Sequence, residues 1–285
     1  MVKNEFHNTA VIDADFIIWI ACNPNKVYEH GVALRKDGKF IYTDKTVEEA
    51  KATCDLYMND ILHLVKADSY YLCLTSGVTF RYNLDHSYKA NRLGMPKPMW
   101  FKEVKQHMID QWGAFWFDGL EADDIVNVIK NSLDNSFIIA ADKDILECIP
   151  GRHFDARRGK VQFMEIDKAQ ADLNFAISIL TGDSVDGIPN LIKGMGPKTA
   201  EDAIRLRVDM NLISPLSATF NLFVQTLGER EGIARFANQY GLLKILETET
   251  QAKAVCPEFY IPEPQCFNCV EHVISKNFYD LWENQ

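Results

Sequence analysis

A mostly parallel α/β sheet flanked by helices, followed by a mainly helical C-terminal third, is the fold class this sequence predicts. Three observations predict it. Short apolar runs at 10–12, 70–74, 114–117 and 137–141 alternate with stretches of helical periodicity, the pattern of β-α-β units. Acids stand just behind several of these runs: Asp13 and Asp15, then Glu121, Asp123 and Asp124, then Asp142 and Asp144. Beyond about residue 173 strand patterns fade.

The elements follow in order. A helix is predicted over 47–66, because Thr46 and Glu49 have capping-box spacing and Ala50, Cys54, Tyr57, Met58, Ile61 and Leu62 recur at three- and four-residue intervals. A second is predicted over 98–112, and a third starts near Glu121 and continues through Ile125, Val128 and Ile129. The 285 residues suggest about two domains at roughly 150 residues each, divided as 1–175 and 176–285. No apolar run approaches the ~20 residues of a membrane span. Residues 1–7 lack a signal-peptide pattern. Seven cysteines without a disulfide-scaffold composition fit a reducing cytoplasm. A cytoplasmic monomer with no membrane partner is expected.

In an open α/β sheet, parallel strand ends converge on one rim where ligands bind. Acids remote in sequence can meet there: Asp13, Glu121, Asp123, Asp124, Asp142 and Asp144, with Asp183 and Asp186 further on. Eight carboxylates in one place repel unless counter-charge is supplied. Hard divalent cations with oxygen ligands, Mg2+ or Mn2+, are the natural supply. The formal charge of −10 becomes −2 once these eight are set aside, so global acidity does not exclude a nucleic acid. Between Arg81 and Lys105 six Lys or Arg face two acids, a local surplus suited to phosphate. Each group also has a plainer reading, as first-turn helix acids, turn residues or caps. Gly194 and Gly196 permit a tight turn before Pro197, which suits a helix start. Exposed N–H groups there, beside Lys198, would suit a DNA phosphate, although an ordinary helix–helix turn explains the glycines as well.

Six motifs, in order, carry a resemblance over roughly residues 9–205. They are Val11-Ile12-Asp13-Ala14-Asp15, Tyr88-Lys89-Ala90-Asn91-Arg92, Leu120-Glu121-Ala122-Asp123-Asp124, Asp142-Lys143-Asp144, Gly182-Asp183-Ser184-Val185-Asp186-Gly187 and Gly194-Met195-Gly196-Pro197-Lys198-Thr199-Ala200. With them the chain resembles the flap-endonuclease/5′-nuclease superfamily, and within it the bacteriophage 5′→3′ exonucleases. The resemblance implies a PIN-like core, a helical arch, and a helix–three-turn–helix element gripping duplex DNA. It implies structure-specific 5′→3′ exonuclease or flap-endonuclease activity with two metal ions, on DNA with a 5′ end or flap or on RNA–DNA hybrids. It further implies work in phage replication or recombination in a bacterial host cytoplasm.

Family roles carry over by position. The eight carboxylates match metal ligands, with Asp13 and Asp142 counted among the catalytic groups. Tyr88, Lys89 and Arg92 match the base of the arch, where Lys89 and Arg92 reach the scissile phosphate and Tyr88 stacks on a base. Arg81 and Thr199 join the expected DNA contacts. Gly194, Gly196 and Lys198 match the duplex-binding turn, which in the family often holds K+. Asp15 is a supporting acid. One departure stands out: Ser76, with Thr75 beside it, occupies the place of a usual metal-site Asp, which implies weaker binding of one ion. Two other readings remain open. A haloacid-dehalogenase-type phosphatase would use Asp13 as nucleophile, and a non-catalytic DNA-binding relative would have lost its metal site. Cys256, Cys266, Cys269 and His272 are a candidate zinc set with irregular spacing. Phe220, Phe223, Phe236 and Tyr240 are expected in a helical core, as are Phe278, Tyr279 and Trp282. Trp100, Trp112 and Trp116 are expected in the core.

Overall fold

The computed structural model describes residues 8–29, 32–157 and 160–267. The first strand, β1 (Thr9–Asp13), is buried at every residue, as a parallel strand covered on both faces must be. α1 (Asp15–Cys22) follows at once. Three short antiparallel pairs come next: β2 (Asn25–Lys26) with β7 (Tyr42–Thr43), β3 (Tyr28–Glu29) with β4 (Val32–Ala33), and β5 (Arg35–Lys36) with β6 (Lys39–Phe40).

α2 (Val47–Val65) opens with the predicted capping box. Glu49 N–H donates to Thr46 Oγ1 at 3.2 Å, and Thr46 N–H donates to the Glu49 carboxylate at 2.8 Å; such a cap contributes about 1 kcal/mol. The chain continues through β8 (Ser69–Cys73), α3 (Arg81–Leu84), α4 (Phe101–Trp112), α5 (Ala122–Asn131), β9 (Ser136–Ala140), α6 (Lys143–Cys148), β10 (Gly151–Asp155) and β11 (Gln162–Ile166). Four longer helices and one short one follow: α7 (Lys168–Thr181), α8 (Pro197–Asn211), α9 (Pro215–Leu227), α10 (Glu229–Leu243) and α11 (Glu249–Val255). β12 (Gln265–Cys266) closes the described chain. Residues 175 and 176, at the expected domain division, lie inside α7.

The main sheet has the order β11-β10-β9-β1-β8-β12. Its four central strands are parallel and both outermost strands run antiparallel to their neighbours. Strand alternation divides the core. Ala10, Ile12 and Leu72 pack with Ile17, Met58 and Val104 of α1, α2 and α4. Val11, Tyr71 and Ile138 pack with Ile125, Ile129 and Ile145 of α5 and α6. A separate cluster joins α7 to α10 through Ile179, Ile204, Leu222 and Phe223, with Phe236 and Tyr240 against it. Phe220 stacks edge-on against Phe236, so these four aromatics sit where expected. Phe278, Tyr279 and Trp282 lie outside the described residues, as do Cys269 and His272 of the zinc candidates.

Three expectations are corrected. Residues 114–117 form a bridge from Cys73 to Phe115, not a strand. The reason is competition for one edge: β12 already pairs with β8 at Tyr70 and Ser69, leaving only the far end for Phe115. Between α3 and α4 the helical arch is reduced to a 3₁₀ turn at Ala90–Arg92, because Gly94, Pro96 and Pro98 interrupt helix. Trp116 is 43% exposed, with the Lys105 ammonium 5.5 Å from its ring.

Candidate active site

β1 lies between β8 and β9, the point where sheet order reverses and where open α/β sheets bind ligands beyond their strand ends. Each strand delivers polar groups there. β1 ends on Asp13, and Asp142 caps α6 just after β9 by accepting from Asp144 N–H at 2.7 Å. Thr75 and Ser76 follow β8, and Glu121 precedes α5. A cleft of about 600 Å³ opens over these ends. Asp13, Asp15, Glu121, Asp123 and Asp142 line it, faced by Lys89, Arg92, Lys97 and Lys105. Asp186 adjoins it through Lys89 and Arg92, and Asp144 interacts electrostatically with Asp142, Asp183 and Asp186.

Crowding shows in the acidities. Burial, then Asp15 and Asp142, push the Asp13 carboxyl well above the usual range. Burial, then Asp124, does the same at Asp123. Burial and Asp142 raise Asp144 to about 7, and burial raises Asp186. Glu121 goes the other way: burial opposes its charge, but Arg81, Lys89 and the Tyr88 hydroxyl hold its carboxyl below the usual range. Asp15 is raised by burial and accepts from Thr75 N–H at 3.3 Å, which fits a supporting acid.

The basic residues are held by backbone as well as charge. Lys89 has φ 54°, and its N–H donates to the Asp186 carbonyl at 2.9 Å. Its ammonium reaches Glu121 at 2.9 Å and Asp186 at 3.7 Å. Arg92 pairs with Asp186 and donates from Nε to the Val185 carbonyl at 3.3 Å. Both cations thus point at the carboxylates expected to work with them.

Three expected site residues are corrected. Arg81 is 1% exposed and cannot touch DNA. Its guanidinium donates to Asp124 at 2.6 and 2.9 Å, and to the carbonyls of Leu242 and Lys244 at 2.9 Å each. Asp124 is wholly buried and also accepts from Leu246 N–H at 3.0 Å. It is therefore a structural counter-ion, not an open metal ligand. Tyr88, 3% exposed, cannot stack on a base; its hydroxyl donates toward Glu121 and Asp186 at 3.2 Å. Burial and these acids push its hydroxyl pKa far above the usual phenol range. Ser76 is buried too, donating to the Val78 carbonyl and accepting from Gly119 N–H.

Gly194, Gly196, Lys198 and Thr199 stand apart from the cleft, on the turn into α8. Pro197 occupies the first helical turn as expected, and Lys198 and Thr199 are exposed. Sequence reasoning passed over Lys97 and Lys105 as individual site residues, and over Thr79, whose buried hydroxyl donates to Glu121 at 3.2 Å. Helical phase offers a signal for Lys105: it lies four residues after Phe101, which also lines the cleft.

Among the described residues no three acids close on one point as a ready ligand shell. The donor chemistry nevertheless fits hard divalent ions. With the Arg81–Asp124 pair set aside, eight carboxylates (Asp13, Asp15, Glu121, Asp123, Asp142, Asp144, Asp183, Asp186) against four cations (Lys89, Arg92, Lys97, Lys105) leave a formal −4, the charge two such ions balance. Cys256 and Cys266 are free thiols.

No protein-family model and no curated protein sequence matches the chain. Solved structures do. The bacteriophage T5 D15 protein co-crystallised with metal ions aligns with TM-score 0.57 and 14% identity over 82% of this chain and 89% of that one. T5 5′-exonuclease aligns at 0.54 and 14% identity, over 87% and 91%. The T5 D15 flap endonuclease, in a pseudo-enzyme–product complex with DNA and metal ions, aligns at 0.51 and 15% identity, over 82% and 88%. The chain has the fold of the T5 5′-exonuclease.

Proposed function

We propose that the protein is a divalent-metal-dependent nuclease that hydrolyses phosphodiesters from the 5′ end or at a 5′ flap of DNA. One observation carries this reading: acids from β1, β9 and the start of α5 converge on a single cleft that also holds Lys89 and Arg92. Asp13, Glu121, Asp123 and Asp142, with Asp144, Asp183 and Asp186 beside them, would hold Mg2+ or Mn2+. Two such ions, when bound, activate water and stabilise the attacking and leaving oxygens of an in-line displacement.

The chain's own groups do the rest. Lys89 and Arg92 offset charge on the phosphate, and being tethered by Asp186 and the Val185 carbonyl they need little reorganisation. Asp15 and Thr75 orient the loop beside Asp13. The turn from Gly194 to Thr199 presents α8 N–H groups and Lys198 to a duplex phosphate, with K+ a further expected ligand there.

The test compares 5′- and 3′-labelled flap, nicked duplex, blunt duplex and RNA–DNA hybrid substrates with Mg2+ or Mn2+. Metal-dependent release from the 5′ end is expected. Asp142→Asn and Lys89→Ala should each lower cleavage at least 100-fold (on the order of 3 kcal/mol) while duplex binding persists. No cleavage with either ion, or a phospho-aspartate trapped at Asp13, would overturn the assignment.

A further inference from the structure

The three short strand pairs between α1 and α2 (two hairpins closed by β2 and β7) add nothing to the described core: none of the described residues 25–29 and 32–43 is buried. They are nevertheless ordered by one another. Val27 N–H donates to the Ile41 carbonyl, Leu34 N–H to Val27, and Ile41 N–H to Leu34, at 2.8 to 3.0 Å. This ring of hydrogen bonds joins three strand pairs into one small sheet.

Its side chains segregate. Residues flanking the three junction positions share a face by strand alternation: Lys26 with Tyr28, Ala33 with Arg35, and Phe40 with Tyr42. Register agrees, pairing Lys26 with Tyr42, Tyr28 with Ala33 and Arg35 with Phe40. Lys26 and Arg35 lie over the Phe40 ring at 4.6 and 4.0 Å, which places both cations on this face. Tyr28 and Tyr42 are 55% and 48% exposed. Three aromatic rings interleaved with two cations, not covered by the described residues, cost solubility without adding to the described core.

Position supplies the occupant. α1 carries Asp15 into the cleft at its start and leads into the hairpins at its end. Lys45, which follows the last hairpin strand, accepts at its carbonyl from Trp100 Nε1 at 2.7 Å, beside the cationic stretch of Lys97 and Lys105. We propose that the face bearing Tyr28, Phe40 and Tyr42 binds single-stranded nucleic acid, stacking its bases and pairing Lys26 and Arg35 with its phosphates. This rests on the nuclease reading above for the strand's destination, the unpaired segment of a substrate entering the cleft. Stacking on aromatic side chains is sequence-tolerant and worth roughly 5- to 140-fold in affinity per base.

The experiment measures anisotropy of fluorescein-labelled oligo-dT of about 20 nucleotides, and of a blunt duplex, with Ca2+ in place of Mg2+. Tyr28→Ser/Tyr42→Ser should weaken oligo-dT binding at least about tenfold and leave the blunt duplex within about twofold. Tyr28→Phe/Tyr42→Phe should restore it. Lys26→Gln/Arg35→Gln should flatten the salt dependence by about 1.4 in slope, ~0.7 per phosphate contact. In cleavage assays the serine variant should raise KM for long flaps without changing kcat. Unchanged circular dichroism and thermal midpoint verify folding, since these side chains are outside the core. Unaltered oligo-dT affinity in the serine variant overturns the proposal even if the protein cleaves flaps. Weakened binding in a protein that no metal makes cleave would uphold the proposal and refute the nuclease reading.

Discussion

Replacing Arg81 by methionine tests the reassignment of the Arg81–Asp124 pair. The guanidinium ties α3 to Asp124 of α5 by two hydrogen bonds, and to the C-terminal end of α10 through the carbonyls of Leu242 and Lys244. Arg81→Met strands the buried Asp124 carboxylate with backbone donors only, from Leu246 at 3.0 Å and Glu121 at 3.3 Å. Two lost charge-assisted bonds at about 1.5–3 kcal/mol each, offset by about 1 kcal/mol from the methionine's apolar contacts, give a net cost of about 2–5 kcal/mol. That agrees with the usual cost of breaking a buried ion pair. Asp124→Leu should cost a similar amount, because it leaves a buried cation. The double variant Arg81→Met/Asp124→Leu should regain at least about 2 kcal/mol over the sum of the singles. Urea unfolding followed by tryptophan fluorescence measures all four proteins. An Arg81→Met protein within about 1 kcal/mol of wild type, but with DNA binding lost, would refute the structural role and return Arg81 to the DNA interface.

Three further outcomes are expected. Because burial and Asp142 raise the Asp144 carboxyl to about 7, protons compete with the ion, and Mn2+ affinity should fall at least about tenfold from pH 8 to pH 6. A titration showing no change would remove Asp144 from the ligand set. His153 is fully buried, donates from Nε2 to the Ile149 carbonyl at 2.8 Å, and leaves Nδ1 without a partner among the described residues; burial pushes its imidazole pKa down to about 4. Its folded form stays neutral, so stability is full above the unfolded value of about 6.5 and is lost as pH falls towards 4, by about 2 kcal/mol at pH 5. Urea midpoints at pH 7.5 and 5 measure this, and His153→Gln should flatten the difference. Finally, Gly182 has φ 63°, and an added Cβ would lie 2.4 Å from the Ile188 carbonyl oxygen. Gly182→Ala should destabilise by about 2–4 kcal/mol, visible in the thermal midpoint; an unchanged midpoint would show that the Asp183–Ile188 bridge can yield.

The acids were legible in the sequence because strand ends and turn chemistry are local signals. Lys89 and Arg92 were singled out through the resemblance, and in the fold each lies within ion-pair distance of Asp186. Tyr88, Arg81 and Asp124 misled for a common reason. An aromatic or charged residue beside site residues reads as functional, and only burial shows whether it faces ligand or core. Arg81 meets its carbonyl partners 161 and 163 positions away, a separation no local pattern conveys. The strand expected at 114–117 failed similarly, since β12 arrives from the far end of the chain to take the shared edge.

By itself the sequence determined the alternation of strands and helices, the capped start of α2 and the surplus of acids at strand ends, because propensity, periodicity and capping act over a few residues. Tertiary structure alone decided which acids share the cleft, which cation is spent inside the fold, and that residues 25–29 and 32–43 raise an aromatic face outside the described core. Those outcomes depend on burial and on pairings between distant segments, which exist only once the chain has closed on itself.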